Sequence, residues 1–302
     1  MLSEVHSVHQ TPSPTVRNNQ PLIVLSLLST WIIWGSTYLA IRFALDSFAP
    51  FLLMGLRFVI AGGLLMIVCR LRGAALPAFV EWRNATIVGG LMLGGGMASA
   101  AYAEQTVSSG LVVTFIAISP LVMSAMLMAF KIYPTRREIL GMALGAMGVG
   151  LLSQGQGFSA SPSGMIAVLV GCVTWNLGSV LSRFKTPLAP GVMGYASEMV
   201  MGGAILLIMS VIHQERWPVA VTPKALGSFI YLIVFGSWVA FNAYMVLLER
   251  VRPALALSYT FINPIIGVAL GIVLANETFT FLEAVAAFII LIGLIIALTG
   301  RR

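Results

Sequence analysis

Trp34-Gly35-Ser36-Thr37-Tyr38-Leu39-Ala40-Ile41-Arg42-Phe43 and Trp175-Asn176-Leu177-Gly178-Ser179-Val180-Leu181-Ser182-Arg183-Phe184 are two spellings of one pattern, 141 residues apart. The correspondence runs outward from them. Ala49-Pro50 meets Ala189-Pro190, and Gly62-Gly63 meets Gly202-Gly203. Farther along, Gly94 through Tyr102 falls on Gly236 through Tyr244, and Ser119-Pro120 falls on Asn263-Pro264. The chain is therefore a duplicated unit, with residues 22–152 as the first copy and 164–299 as the second.

Composition fixes the surroundings of that unit. The chain is 59% hydrophobic and 9% charged, whereas soluble domains run at roughly 45–50% apolar and about 25% charged. Charges collect between long apolar stretches, which defines a polytopic membrane protein. The pattern predicts ten spans, at residues 22–41, 51–69, 85–103, 111–130, 139–152, 165–181, 192–212, 226–248, 254–275 and 282–299. The fifth is short for a crossing, and the amphipathic approach at Glu138 completes it.

Lysine and arginine set the orientation. With the N-terminus inside, thirteen of them fall on the cytoplasmic side. Three fall outside (Arg42, Arg216 and Lys224), and Arg57 lies within a span. Both termini are then cytoplasmic, and the net charge of +7 expresses topology, not nucleic-acid binding. Residues 1–21 lack an apolar core and read as a disordered cytoplasmic tail, not a signal peptide.

An odd number of crossings per copy turns the second copy upside down relative to the first. The fold expected is all-α, ten transmembrane helices in two inverted five-helix repeats. Inverted repeats characterise secondary transporters, because two near-equivalent halves exchange inward-open and outward-open states. Two cysteines, Cys69 and Cys172, both at or within spans, imply no disulfide framework. His6, His9 and His213 are scattered. No metal-ligand spacing and no phosphate-binding glycine loop occurs, so neither metal nor cofactor is expected.

Ionisable side chains at membrane depth are costly and mark function by default. Arg57 lies seven residues past Pro50, and Glu198 eight past Pro190. At about 1.5 Å per residue each sits roughly 10–12 Å from its own helix end, close to the midplane. One reading makes them a charge pair or polar gate beside a substrate path, and another a structural pair that fixes how the halves pack. Glu104 is placed near the external end of the third span. There a solvated loop-end charge is favoured over a proton acceptor. Glu277 is read as capping the last helix or packing its turn, not as a group that carries chemistry.

A second constellation is polar and aromatic: Trp34, Ser36, Thr37 and Tyr38 against Trp175, Asn176 and Ser179, with Asn242, Tyr244, Tyr259 and Asn263. Taken singly these residues serve as interhelical glue. As a set at repeat-related places they form a cavity with an apolar wall and a few placed hydrogen-bonding groups. Pro120 and Pro264 are expected to bend the fourth and ninth helices at matched positions.

Several of these stretches together resemble the drug/metabolite transporter superfamily, in its ten-helix EamA-type branch of bacterial inner-membrane exporters. They are Trp34-Gly-Ser-Thr-Tyr38, Arg57-Phe58, Ala103-Glu-Gln with Ser109-Gly-Leu111, the Ser119-Pro120 and Asn263-Pro264 pairs, and Asn276-Glu-Thr-Phe-Thr280 before Leu282-Glu-Ala284. The first repeat departs from the pattern: Lys131-Ile-Tyr-Pro134 stands where the second carries Glu277. The resemblance implies a central cavity lined by helices one, three, four, six, eight and nine. It also implies alternating-access export of a small amphipathic or aromatic metabolite, an amino acid or a drug, from the inner membrane. Proton coupling rests on Glu198 and Glu104. The competing classes are a uniporter or importer and a membrane-embedded enzyme acting on lipid. Ten acidic residues spread singly argue against the enzyme. The partners expected are a small-molecule substrate, the bilayer and protons, with no nucleic acid and the oligomeric state left open.

Overall fold

A computed structural model describes residues 20–107, 112, 116, 118–152, 161–275 and 281–299. The tail as far as residue 19, the Ser108–Leu111 stretch and the turn containing Glu277 lie outside them. The described residues form helices α1 (Gln20–Ala44), α2 (Pro50–Leu71), α3 (Phe79–Ala103), α4 (Ser119–Met128), α5 (Arg136–Leu152), α6 (Pro162–Phe184), α7 (Val192–Ile212), α8 (Pro223–Arg250), α9 (Tyr259–Ala275) and α10 (Phe281–Thr299). A four-residue helical turn, Pro253–Ala256, precedes α9. No strand occurs among the described residues. Six helices (α1, α2, α3, α6, α7 and α8) are long and apolar enough to cross a bilayer on their own. Large apolar side chains stand exposed along the outer surface, among them Ile32, Ile67, Ile166, Val211 and Phe288. Such a surface suits lipid, not water.

Helix starts follow from local chemistry. Ser161 and Thr222 accept from the backbone N–H three residues on (Gly164 and Ala225, 3.1 and 3.2 Å), each followed by a proline at the first helical position. Proline fits there because its missing N–H would have had no helical partner. Thr135 and Glu138 close a reciprocal capping box: Thr135 N donates to Oε2 at 2.7 Å and Glu138 N to Oγ1 at 3.2 Å. This is how α5 gains the turn that its apolar stretch lacks. Helix α2 has only Ala49 before it, and its cap comes from far away. The Glu215 carboxylate accepts from Phe51 N (3.1 Å) and Leu52 N (2.7 Å), placing a negative charge on the positive end of the helix dipole.

Packing has an internal regularity. The two most extensive contacts are α2 on α7 and α5 on α10; α1 packs on α8 and α9, as α6 packs on α3 and α4. Exchanging the first five helices for the last five maps this contact set onto itself. Close approach depends on small residues. A methyl group at Gly62 would lie 2.7 Å from the Ala196 carbonyl, and one at Gly203 would lie 2.7 Å from Val59 N. At the other crossing, Gly141 and Gly293 meet backbone to backbone.

Two features depart from expectation. Pro120 stands in the first turn of α4, where it costs no hydrogen bond, whereas Pro264 lies inside α9. The two matched prolines therefore occupy different places in the described parts of their helices. Wide π turns also occur at Ser29–Ile33 in α1, Gly90–Met97 in α3 and Leu232–Phe241 in α8. The last two coincide under the duplication, since Gly94 and Gly236 lie within them.

Gly62 and Gly63 provide a paired test. Gly62→Ala is expected to cost about 1–3 kcal/mol through overpacking. At Gly63 nothing lies within 4 Å of an added methyl, so Gly63→Ala should be neutral or up to about 1 kcal/mol stabilising. Thermal unfolding of the two purified variants in detergent reads the difference directly.

Candidate functional site

A cavity lies among α1, α2, α3, α4, α6 and α9, with the apolar wall and few polar groups that suit a small organic molecule. Its walls are Trp34, Thr37, Tyr38 and Ile41 from α1; Arg57 from α2; Gly96, Met97 and Ala100 from α3; and Ile116 and Ser119 at α4. Val168, Gly171, Cys172 and Trp175 from α6, with Tyr259 from α9, complete it. These residues lie to one side of the two tryptophans: toward Ala44 on α1, toward Ala103 on α3 and toward Pro162 on α6. The glycines bring backbone to the wall, since a methyl at Gly96 would lie 3.0 Å from the Trp175 ring.

Three rings, those of Trp34, Trp175 and Tyr259, make the floor, and Tyr244 packs beneath them. Trp34 meets Trp175 edge-to-face at 5.6 Å, Tyr259 edge-to-face at 4.8 Å and Tyr244 at 5.2 Å; Trp175 meets Tyr244 at 5.2 Å, and Tyr244 meets Tyr259 at 5.7 Å. Edge-to-face geometry sets positive ring edges against negative faces. The two repeat-related tryptophans thus touch at the centre, yet their indole nitrogens differ. Trp34 Nε1 donates to the Gly236 carbonyl at 3.3 Å, within the wide turn of α8. Trp175 Nε1 is buried and points to the Tyr244 and Tyr259 hydroxyls instead of a carbonyl.

Of the polar and aromatic residues singled out from sequence, Trp34, Thr37, Tyr38, Trp175 and Tyr259 line the cavity. The others do not. Ser36 is held by the Ile33 carbonyl and the Tyr231 hydroxyl (2.7 and 2.6 Å). Asn176 Nδ2 donates to the Cys172 carbonyl at 2.8 Å, and Asn242 Nδ2 to that of Trp238 at 2.7 Å. Ser179 joins the Trp175 carbonyl at 2.9 Å to the Tyr244 hydroxyl at 3.0 Å beneath the floor. Asn263, with its amide turned to satisfy both ends, donates to the carbonyls of Tyr259 (3.0 Å) and Trp31 (3.1 Å). Ser36, Ser179 and Asn263 thus tie one helix to another, whereas Asn176 and Asn242 bond back along their own helices. Ser119 and Cys172, 3.1 Å apart, went unnoticed in the sequence because neither belongs to the aromatic pattern.

The buried charges fall elsewhere than expected. Arg57 and Glu198 are 1% and 0% exposed but form no ion pair. Arg57 Nε donates to Ser237 Oγ on α8 at 2.8 Å, and one terminal nitrogen rests 3.6 Å from Met54 Sδ. Its other terminal nitrogen has no partner. Glu198 has neither carboxylate oxygen bonded and does not line the cavity. It lies on the α7 face packed against α3, where its own backbone carbonyl abuts Gly89. Glu104 is fully buried, with both oxygens unpartnered, so the solvated loop-end reading is overturned. The chain turns inward after α3, and Arg42 fixes that turn by donating to the Glu104 carbonyl at 2.7 Å. Helix α8 stands behind the wall through Gly236 and Ser237, and α2 supplies the wall residue Arg57 instead.

Comparison with known proteins agrees with this architecture. The EamA-like transporter family matches residues 21–154 and 162–299, one match for each copy of the duplicated unit. The Escherichia coli (strain K12) protein described as the uncharacterized inner membrane transporter YedA is 37% identical over 278 residues, spanning 91% of this chain and 90% of its own length. The Arabidopsis thaliana chloroplastic WAT1-related protein At3g02690 is 27% identical, over 89% of this chain and 67% of its own. A crystal structure of a protein 19% identical in sequence superposes with a TM-score of 0.75, covering 92% of this chain and 98% of that one. With both halves matched and a 37% identical relative across nearly its whole length, the chain belongs to the EamA-like transporter family of the drug/metabolite transporter superfamily.

Proposed function

We propose that this protein exports a small amphipathic metabolite across the bacterial inner membrane by alternating access of the cavity above Trp34 and Trp175. The observation that carries the reading is the position of these two side chains. They are the same residue of the two copies, and they meet edge-to-face at the cavity floor. In two inverted repeats, a rearrangement that trades the conformations of the halves parts this floor on one side and rebuilds it on the other. The relative YedA supports the inner-membrane location by its description.

Lysine and arginine placement puts the open side of the cavity outside. The opposite, cytoplasmic side carries ties between the halves and within the second, beside a recess lined by Arg183, Leu188, Leu248 and Glu249. Phe130 stacks on Phe184 at 4.9 Å, Arg183 donates to the Leu248 carbonyl at 2.9 Å, and Tyr195 donates to Glu249 at 2.6 Å. In this reading the fold is held in an outward-facing state, and release into the medium is the step it represents.

Comparing spent medium and cell extract of overproducing cells by untargeted mass spectrometry tests the proposal. The expected outcome is a compound enriched outside with the wild type and at least about tenfold less with Trp34→Ala, at equal amounts of membrane protein. A compound depleted from supplemented medium instead makes the protein an importer.

Proton coupling, if present, runs through Glu104 or Glu198, the two buried carboxylates without partners. Flux into inverted vesicles should then lose its pH dependence in Glu104→Gln or Glu198→Gln while substrate binding survives. An unchanged profile in both variants makes the carrier a uniporter.

A further inference from the structure

We infer that Arg57 is an anion-recognition residue and that the cargo carries a carboxylate, or an equivalent planar anion, beside its apolar body. The inference rests on the transport reading of the cavity and adds a substrate class to it. Its starting point is a charge inventory. Among the described lining residues Arg57 is the one formal charge, and no aspartate or glutamate joins it. Glu198 and Glu104 are buried without bonding to it.

A guanidinium at membrane depth is costly unless its charge and its five N–H groups are met. Here the protein meets them in part. Nε is tied to Ser237 Oγ at 2.8 Å, a weak sulfur acceptor sits 3.6 Å from one terminal nitrogen, and the Phe58 ring centroid lies 4.8 Å away. The other terminal nitrogen, fully buried, has no acceptor at all. Among the described lining residues that nitrogen is the charged donor left without a hydrogen bond. An unpartnered donor and a positive charge without a counter-ion together specify an acceptor of negative charge.

The tether to Ser237 also says how such a group would be held. It fixes the plane of the fork through Nε and leaves one terminal nitrogen, packed beside Gly236, without an acceptor; a planar fork favours a planar carboxylate over a spherical ion. The aromatic floor then takes the apolar remainder of the molecule. A purely structural arginine would be expected to close its hydrogen bonds on carbonyls or a carboxylate, as Arg183 does on the Leu248 and Val251 carbonyls (2.9 and 3.3 Å).

Three probes of one shape test this on the purified full-length protein by isothermal titration calorimetry: phenylacetate, 2-phenylethanol and phenethylamine. A charge-assisted hydrogen bond is worth enough for phenylacetate to bind about tenfold or more tightly than 2-phenylethanol, with phenethylamine weakest. Arg57→Gln should abolish that ratio while 2-phenylethanol still binds, and Arg57→Lys should reduce it. If Arg57→Gln does not fold, the Arg57→Lys ratio decides. Equal binding of the three probes, or a ratio that survives both substitutions, overturns the anion site and leaves the cavity reading standing. Binding of none of them to the wild type overturns both.

Discussion

The crossing of α2 and α7 is the constraint on which the rest of the molecule depends. Hydrocarbon offers no hydrophobic reward for joining two apolar helices, so close packing of backbones has to supply the attraction. Gly62 against the Ala196 carbonyl, and Gly203 against Val59 N and the Gly55 carbonyl, allow that approach where side chains would hold the helices apart. One helix of the crossing belongs to each copy of the repeat, so the contact defines how the halves face each other. It also fixes where Arg57 stands. Glu215, just beyond the end of α7, caps α2, and the two helices are joined at that end as well as at the middle.

From that crossing the cavity follows. With α2 held against α7, its Arg57 reaches α8 at Ser237, while α1 and α6 bring their tryptophans together on the pseudo-symmetry line. The polar residues around the cavity divide into two kinds. Some tie helices together, as Ser36 and Ser179 do. Others are lining residues that keep a donor in reserve, as Arg57 does. In a medium without water this division separates scaffold from site better than polarity does.

Much of the fold was legible because its determinants are local and periodic. The long apolar stretches gave the helices, the internal match gave the duplication, and Trp34 and Trp175 were marked by being the same residue twice. Depth was legible too, since counting from Pro50 and Pro190 requires only the helical rise. Direction around the helix axis was not. Arg57 and Glu198 reach similar depths, but α2 turns one toward α8 and the cavity, and α7 carries the other on its α3 side. Glu104 was misjudged for a related reason: a helix end near water is usually wet, and only the inward turn fixed by Arg42 buries it. Ser36, Asn176, Ser179, Asn242, Tyr244 and Asn263 read as cavity lining because their residue types fit. Neighbouring carbonyls and hydroxyls had already claimed most of their hydrogen-bonding groups, and no sequence pattern records that.

The wide turns of α3 and α8 carry one further consequence. A π turn holds one residue more than the α-helix around it, so each of these helices stores a surplus residue inside the bilayer. Were that surplus to travel a few positions along the helix, the residues it passes would swing by about 100° around the axis. The tally of backbone hydrogen bonds would stay the same. Gly94 and Gly236 lie at the loci of this slack in the two halves, and Gly236 is also the residue whose carbonyl holds Trp34. The floor of the cavity is thus fastened to a place where a helix can rewind without unfolding.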